Sequence, residues 1–117
     1  STTVKYTRPG ELVATVVEGF LALIDLSPQG MTLFLEAPLL AGHEASITLE
    51  KPKQFYVRGQ VVACSNYMRE SKVLCDAPLA YRVQVKFRFE TEEERAEVRK
   101  YCEYIYYDVL GLKRSAA

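Results

Sequence analysis

Between Tyr81 and Phe89 the chain alternates without a break. Tyr81, Val83, Val85, Phe87 and Phe89 share one face, and Arg82, Gln84, Lys86 and Arg88 share the other. Successive side chains of a strand point to opposite sides, so this pattern predicts a strand with one face buried and one in water. Strands of that kind belong to antiparallel sheets. Apolar, β-branched runs upstream extend the series: Glu11 to Val17, Phe20 to Leu26, Met31 to Leu35, Ala45 to Leu49 and Phe55 to Cys64. Glu18-Gly19 reads as a tight turn, Ala37 to His43 as a loop holding Pro38 and Gly42, and Lys51-Pro52-Lys53 as a break. Gly59 marks a bulge or bend within its strand. Ser65 to Ala77 is polar and reads as a hairpin loop, with room for a short strand at Lys72 to Asp76. Ser1 to Gly10, Thr-rich and ending in Arg8-Pro9-Gly10, reads as an irregular, flexible N-terminal arm. Six short antiparallel strands favour a small barrel, because closure removes exposed edges.

Thr91-Glu92-Glu93-Glu94 is a capping box. The Thr91 hydroxyl can accept from the Glu94 N–H, the Glu94 carboxylate can bond back, and the acidic run suits the positive helix end. The helix is expected to run to about Leu110, with Gly111 as its stop and a short tail over 112–117. Val98, Tyr101, Cys102, Ile105 and Val109 recur at spacings of three and four, a stripe suited to covering one open end of the barrel. The fold class is therefore mainly β, a small antiparallel six-stranded barrel over 11–111 with a C-terminal α-helix. Four tyrosines, Tyr101, Tyr104, Tyr106 and Tyr107, exceed what one stripe buries. Tyr104 or Tyr107 is expected to be partly exposed and to suit a protein partner, an adjacent domain or a homodimer contact.

Fifteen basic and fifteen acidic residues give a formal net charge of zero. A general DNA or RNA binder needs a basic excess, so that class is set aside, whereas a small anion needs only a local cluster of positive charge. No apolar run approaches the roughly 20 residues of a membrane span. Cys64, Cys75 and Cys102 show no Cys-x-x-Cys pairing, and His43 is the one histidine, so no metal site is expected. The cysteines read as small buried hydrophobes of a reducing cytoplasm, with a Cys64–Cys75 link as the lesser alternative. No nucleophile, base and orienting group stand at a recognisable spacing, so the chain is not expected to be an enzyme.

One stretch carries chemistry. Leu23-Ile24-Asp25-Leu26-Ser27-Pro28-Gln29-Gly30 joins two apolar runs. Asp and Ser side chains bond nearby N–H groups, Pro28 presets φ, and Gly30 tolerates a positive φ, so on these grounds alone it is a hairpin connection. Its full spacing, Asp-x-Ser-x-x-Gly between two strands, resembles the signature of the PilZ domain family, bacterial receptor domains for cyclic di-GMP. Later landmarks follow in that family's order: a strand ending near Glu36, a Pro-Leu-Leu-Ala-Gly turn, Arg58-Gly59-Gln60-Val61-Val62, Tyr81-Arg82-Val83-x-Val85-x-Phe87, and an acidic-capped helix. The likeness spans roughly Glu11 to Gly111.

The resemblance implies a PilZ-like barrel that binds cyclic di-GMP, needs no cofactor, and alters a partner interaction in cytoplasmic signalling such as motility. By motif position the ligand contacts would be Asp25, Ser27 and Gly30. A carboxylate accepts from the guanine N1–H and N2–H₂ edge, and arginine forks onto O6/N7 or a phosphate. Family members that bind well also carry Arg-x-x-x-Arg upstream of the first strand. Here Lys5 and Arg8, three apart, stand in its place. Three arrangements accommodate this departure. The arginines lie upstream of Ser1, or Arg8 with Lys5 forms a weaker clamp, or the domain has ceased to bind nucleotide and serves as a protein–protein module in motility or secretion.

Overall fold

Strand β6 (Tyr81–Phe87) lies between β3 (Gly30–Leu35) and β5 (Phe55–Asn66), antiparallel to both, with Val83 opposite Leu33 and Cys64. Its alternation is realised as read: Val83, Val85 and Phe87 are buried, while Arg82, Gln84 and Lys86 face outward. The computed structural model describes residues 2–7, 10–66 and 81–112. Within them β1 (Thr2–Thr7), β2 (Thr15–Leu21) and β4 (Glu44–Leu49) complete a closed barrel in the order β1-β2-β3-β6-β5-β4, with β4 bonded back to β1. Every pairing is antiparallel. The chain is mainly β, a six-stranded barrel with one C-terminal α-helix.

The strand count agrees with the sequence, but the first two strands are redistributed. Residues 2–7, expected to be irregular, form β1, with Val4 and Tyr6 buried inside the barrel. Thr at positions 2, 3 and 7 supplies β propensity without an apolar signal. Glu18 and Gly19 do not turn; they sit within β2, opposite Thr3 and Thr2. The run expected over 20–26 ends at Leu21, and Leu23–Asp25 forms a single 3-10 turn. The bulge lies between Val61 and Ala63 rather than at Gly59. The loop and short strand expected over 65–77 lie, beyond Asn66, outside the described residues.

Helix α1 (Glu92–Glu103) starts as its capping box dictates, with the Glu94 N–H donating to Thr91 Oγ1 at 3.2 Å. The Glu94 carboxylate reaches back one residue further than expected, accepting from the Glu90 N–H at 3.3 Å. Val98, Tyr101, Cys102 and Ile105 are buried against the barrel. Fully burying a side chain of this size contributes about 1.5–3 kcal/mol, so the stripe is what docks the helix. The Tyr101 ring stacks on Phe55, with centroids 3.9 Å apart and 4° between the planes.

The last turn departs from the expected α-helix. Tyr104–Val109 is π-helical, and the Leu110 N–H reaches the Ile105 carbonyl at 2.8 Å, five residues back. A π turn holds more residues than an α turn, so it rotates the following side chains out of the stripe. Val109, expected on the buried face, is 38% exposed for this reason. Gly111 ends the helix with φ +69°, as its position predicts.

Candidate functional site

The turn between β2 and β3 is assembled from short-range bonds. The Asp25 N–H donates to the Ala22 carbonyl at 3.0 Å and the Leu26 N–H to Leu23 at 3.4 Å, closing the 3-10 turn. Ser27 and Gly30 exchange both backbone bonds, at 3.0 and 3.3 Å, and the Ser27 Oγ accepts from the Gln29 N–H at 3.2 Å. Asp25, Ser27 and Gly30 are thus brought together in one hydrogen-bonded loop. Asp25 is exposed, Ser27 is half-buried, and the Asp25 carboxylate makes no hydrogen bond or ion pair among the described residues. A solvent-facing carboxylate without a partner among the described residues is available to accept from a ligand.

Gly30 plays a different part from the one its turn position suggested. Its φ is not positive. A Cβ there would lie 2.4 Å from the Val85 carbonyl oxygen of β6, closer than side chains approach a backbone. The glycine is required so that the turn can press against the neighbouring strand. The Phe87 N–H then donates to the Gln29 carbonyl at 2.8 Å, fixing the turn to the end of β6.

The turn is anchored from a second direction. Leu26 buries its side chain in the core, and its carbonyl accepts the Tyr106 hydroxyl at 2.6 Å from the π-helical turn. Burial, with the Cys102 charge a lesser cause, raises the Tyr106 phenol above its ordinary value of 10.0, so it remains a donor at neutral pH. Nothing local in the sequence announces this contact, because 80 residues separate the two partners. Tyr104, by contrast, is half-exposed beside Tyr101, with the Lys53 ammonium 5.2 Å from its ring centroid. Tyr107 is likewise half-exposed.

The two cations proposed from the sequence fare differently. Lys5 lies in β1 opposite Val16, while Asp25 lies beyond Leu21 at the other end of β2. Its Nζ is 3.8 Å from Glu50. The barrel therefore does not bring Lys5 to the signature turn. Arg8 lies outside the described residues.

A cleft of about 360 Å³ opens on the outer barrel surface, lined among others by Thr7, Ser46, Arg58, Arg88 and Glu90. Asp25, Ser27 and Gly30 do not line it, but Arg88 directly follows the residue bonded to Gln29. Its cations are partnered. Arg58 Nη1 is 2.9 Å from Glu90 Oε1 and its Nη2 2.6 Å from Glu94 Oε1, and Arg88 Nη2 donates to Gln60 at 2.9 Å. Donating to the Glu94 and then the Glu90 carboxylate raises the Arg58 guanidinium above its ordinary range, and accepting from Arg58 holds the Glu94 carboxyl below its own. The sequence pattern puts Arg88 on the outward face of its strand but gives no sign of this network. His43 is exposed, and no group of three metal-ligating side chains lies together among the described residues. No described helix is long and apolar enough to cross a membrane.

A family model described as PilZ domain matches residues 2–104. No curated protein and no solved structure matches the chain. The matched span takes in all six strands, the Asp-x-Ser-x-x-Gly turn and helix α1, in a family of non-enzymatic receptor domains for cyclic di-GMP. The chain belongs to the PilZ domain family.

Proposed function

We propose that this chain binds cyclic di-GMP at the Asp25–Gly30 turn and passes the change to a protein partner or an adjacent domain. The observation that carries the reading is the Asp25 carboxylate, exposed and unpaired among the described residues on a loop held at Leu26, Gln29 and Gly30. In this reading Asp25 accepts from the guanine donor edge, while the Ser27 hydroxyl, already accepting from Gln29, donates its own proton to the ligand. The Gly30 backbone keeps the loop flush with β6. Arg8, on the segment that stands where binding members of the family carry their arginines, is the cation assigned to a phosphate. Lys5 is not assigned that role, since it pairs with Glu50.

Calorimetric titration of cyclic di-GMP decides the matter. The unaltered chain is expected to bind, and Asp25→Ala and Ser27→Ala to weaken binding. Losing a bond to a charged group costs about 1.5–3 kcal/mol, or roughly tenfold to more than a hundredfold in affinity for Asp25→Ala. Absence of heat from the unaltered chain would sink the receptor reading. It would leave the protein–protein module, read out by loss of a pull-down in Tyr104→Ala and Tyr107→Ala.

A further inference from the structure

We infer that the Tyr106 hydroxyl is a positioning group for the signature turn, and that through it the turn and the C-terminal π-helical segment are conformationally linked. This rests on the proposed receptor role only for its ligand arm. The geometry is specific. Leu26 sits between Asp25 and Ser27, so whatever fixes its carbonyl fixes the backbone carrying both proposed ligand groups. Other backbone groups of the loop bond within it, to β3 or to the end of β6: Ala22 with Asp25 and with Thr32, Leu23 with Leu26, Ser27 with Gly30, Gln29 with Phe87. The Leu26 carbonyl is the group bonded to the helix, by a short contact of 2.6 Å in a partly buried site.

The helix side of the contact is the irregular part of the helix. Tyr106 lies inside the π-helical turn, and its own carbonyl accepts from the Leu112 N–H at 2.8 Å. One residue therefore ties the turn to the chain end beyond the helix, where Leu110 and Leu112 are exposed. Helix α1 itself is held independently, by the Phe55–Tyr101 stack and by Arg58 on Glu90 and Glu94. Loss of the Tyr106 bond thus loosens the turn and the π segment while the helix stays docked. A linkage of this kind is reciprocal. A ligand that orders the turn orders residues 106–112, and a partner that seizes residues 106–112 changes affinity at the turn by the same factor.

The test compares Tyr106→Phe, which removes only the hydroxyl, with Tyr104→Phe as control, each in the full chain. Amide hydrogen exchange is measured first without ligand. Tyr106→Phe is expected to speed exchange at Leu26, Ser27, Gly30, Leu110 and Leu112, while the core amides of β6 and the melting transition of the barrel stay near those of the native chain. Tyr104→Phe is expected to leave all of these as they were. With cyclic di-GMP added, Tyr106→Phe is expected to bind about threefold to tenfold more weakly, the effect of one hydrogen bond. Ligand is also expected to slow exchange at Leu110 and Leu112 in the native chain only. Unchanged exchange at the turn in Tyr106→Phe overturns the inference, as does a uniform acceleration throughout the barrel. If the native chain takes up no cyclic di-GMP, the receptor reading fails, and ligand-free exchange still decides whether Tyr106 positions the turn.

Discussion

Arg58 on β5 donates from Nη2 to Glu94 Oε1 at 2.6 Å, across 36 residues of sequence, and thereby pins the first turn of α1 to the barrel wall. The same carboxylate accepts from the Glu90 N–H, and the Glu94 N–H is capped by Thr91. Glu94 is thus capping partner and ion-pair partner at once, and the ion pair needs it charged.

That double role gives a pH prediction with a defined sign. The Arg58 hydrogen bond holds the Glu94 carboxyl below its ordinary 4.5, so its contribution is present at neutral pH and lost as pH falls from 4.5 through the lowered value. Glu94→Gln is expected to melt at a lower temperature than the native chain at neutral pH. The gap closes as pH falls below 4.5. Added salt also narrows it, since both side chains reach solvent. Thermal melts across pH and salt check both trends.

A second prediction runs against the usual expectation that core substitutions weaken a protein. The Tyr101 hydroxyl is buried without a hydrogen-bond partner among the described residues, while its ring stacks on Phe55. An unsatisfied buried hydroxyl costs about 1–3 kcal/mol, so Tyr101→Phe is expected to stabilise the chain by about 1 kcal/mol. Tyr101→Ala, which removes the stack and leaves a cavity, is expected to cost about 3–5 kcal/mol. Burial also pushes the phenol from 10.0 up to about 12. Between those values the unfolded chain ionises and the folded one does not, so stability falls with rising pH there and the advantage of Tyr101→Phe grows. Denaturant melts on either side of pH 10 measure it.

How much of this was legible in the sequence depends on whether a signal is local. β6 announces itself because four alternate positions, Tyr81, Val83, Val85 and Phe87, carry large apolar side chains, though the alternation runs on to Phe89, past the strand's end. β1 does not, because Val4 and Tyr6 are its described buried residues and threonines surround them. The six-residue stretch was legible as a turn, since Asp, Ser, Pro and Gly are turn formers, and its spacing as a family signature. The reason for its glycine was not, because the Val85 carbonyl that forbids a Cβ comes from a strand 55 residues away. The Tyr106–Leu26 and Arg58–Glu94 contacts were illegible for the same cause. No periodicity encodes which exposed end of a helix meets which loop, and nothing in the 104–109 sequence distinguishes a π turn from another α turn.

Two glycines therefore separate two kinds of crowding. At Gly30 the obstacle is the Val85 backbone oxygen, at 2.4 Å, which moves only if β3 and β6 part. At Gly59 it is the Val85 Cγ1 atom, also at 2.4 Å, with the Lys86 carbonyl at 3.1 Å. Overpacking typically costs about 1–3 kcal/mol. Gly30→Ala is expected at or above the top of that range and Gly59→Ala below it. Pairing Gly59→Ala with Val85→Ala should return part of the loss, whereas Val85→Ala cannot relieve Gly30→Ala. Urea unfolding of the four variants gives the ordering directly.

The cysteines supply a probe of helix docking. Cys102 is buried on the barrel-facing stripe of α1, and burial, with the Glu103 charge second, pushes its thiol up to about 11. The thiolate is the reactive form, so native Cys102 is expected to resist alkylation in mildly alkaline buffer and to react only when α1 lifts from the barrel. Cys64, a free thiol that is half-buried on β5, is expected to react before Cys102. Peptide-level mass spectrometry distinguishes the sites. Labelling at Cys102 should then track the contacts that hold the helix. Glu94→Gln removes the Arg58 tether and is expected to accelerate it, whereas Tyr106→Phe acts beyond the docked stripe and is expected to leave it near the native rate. Equal acceleration by both would mean that α1 and the π-helical turn release together, as one cooperative unit.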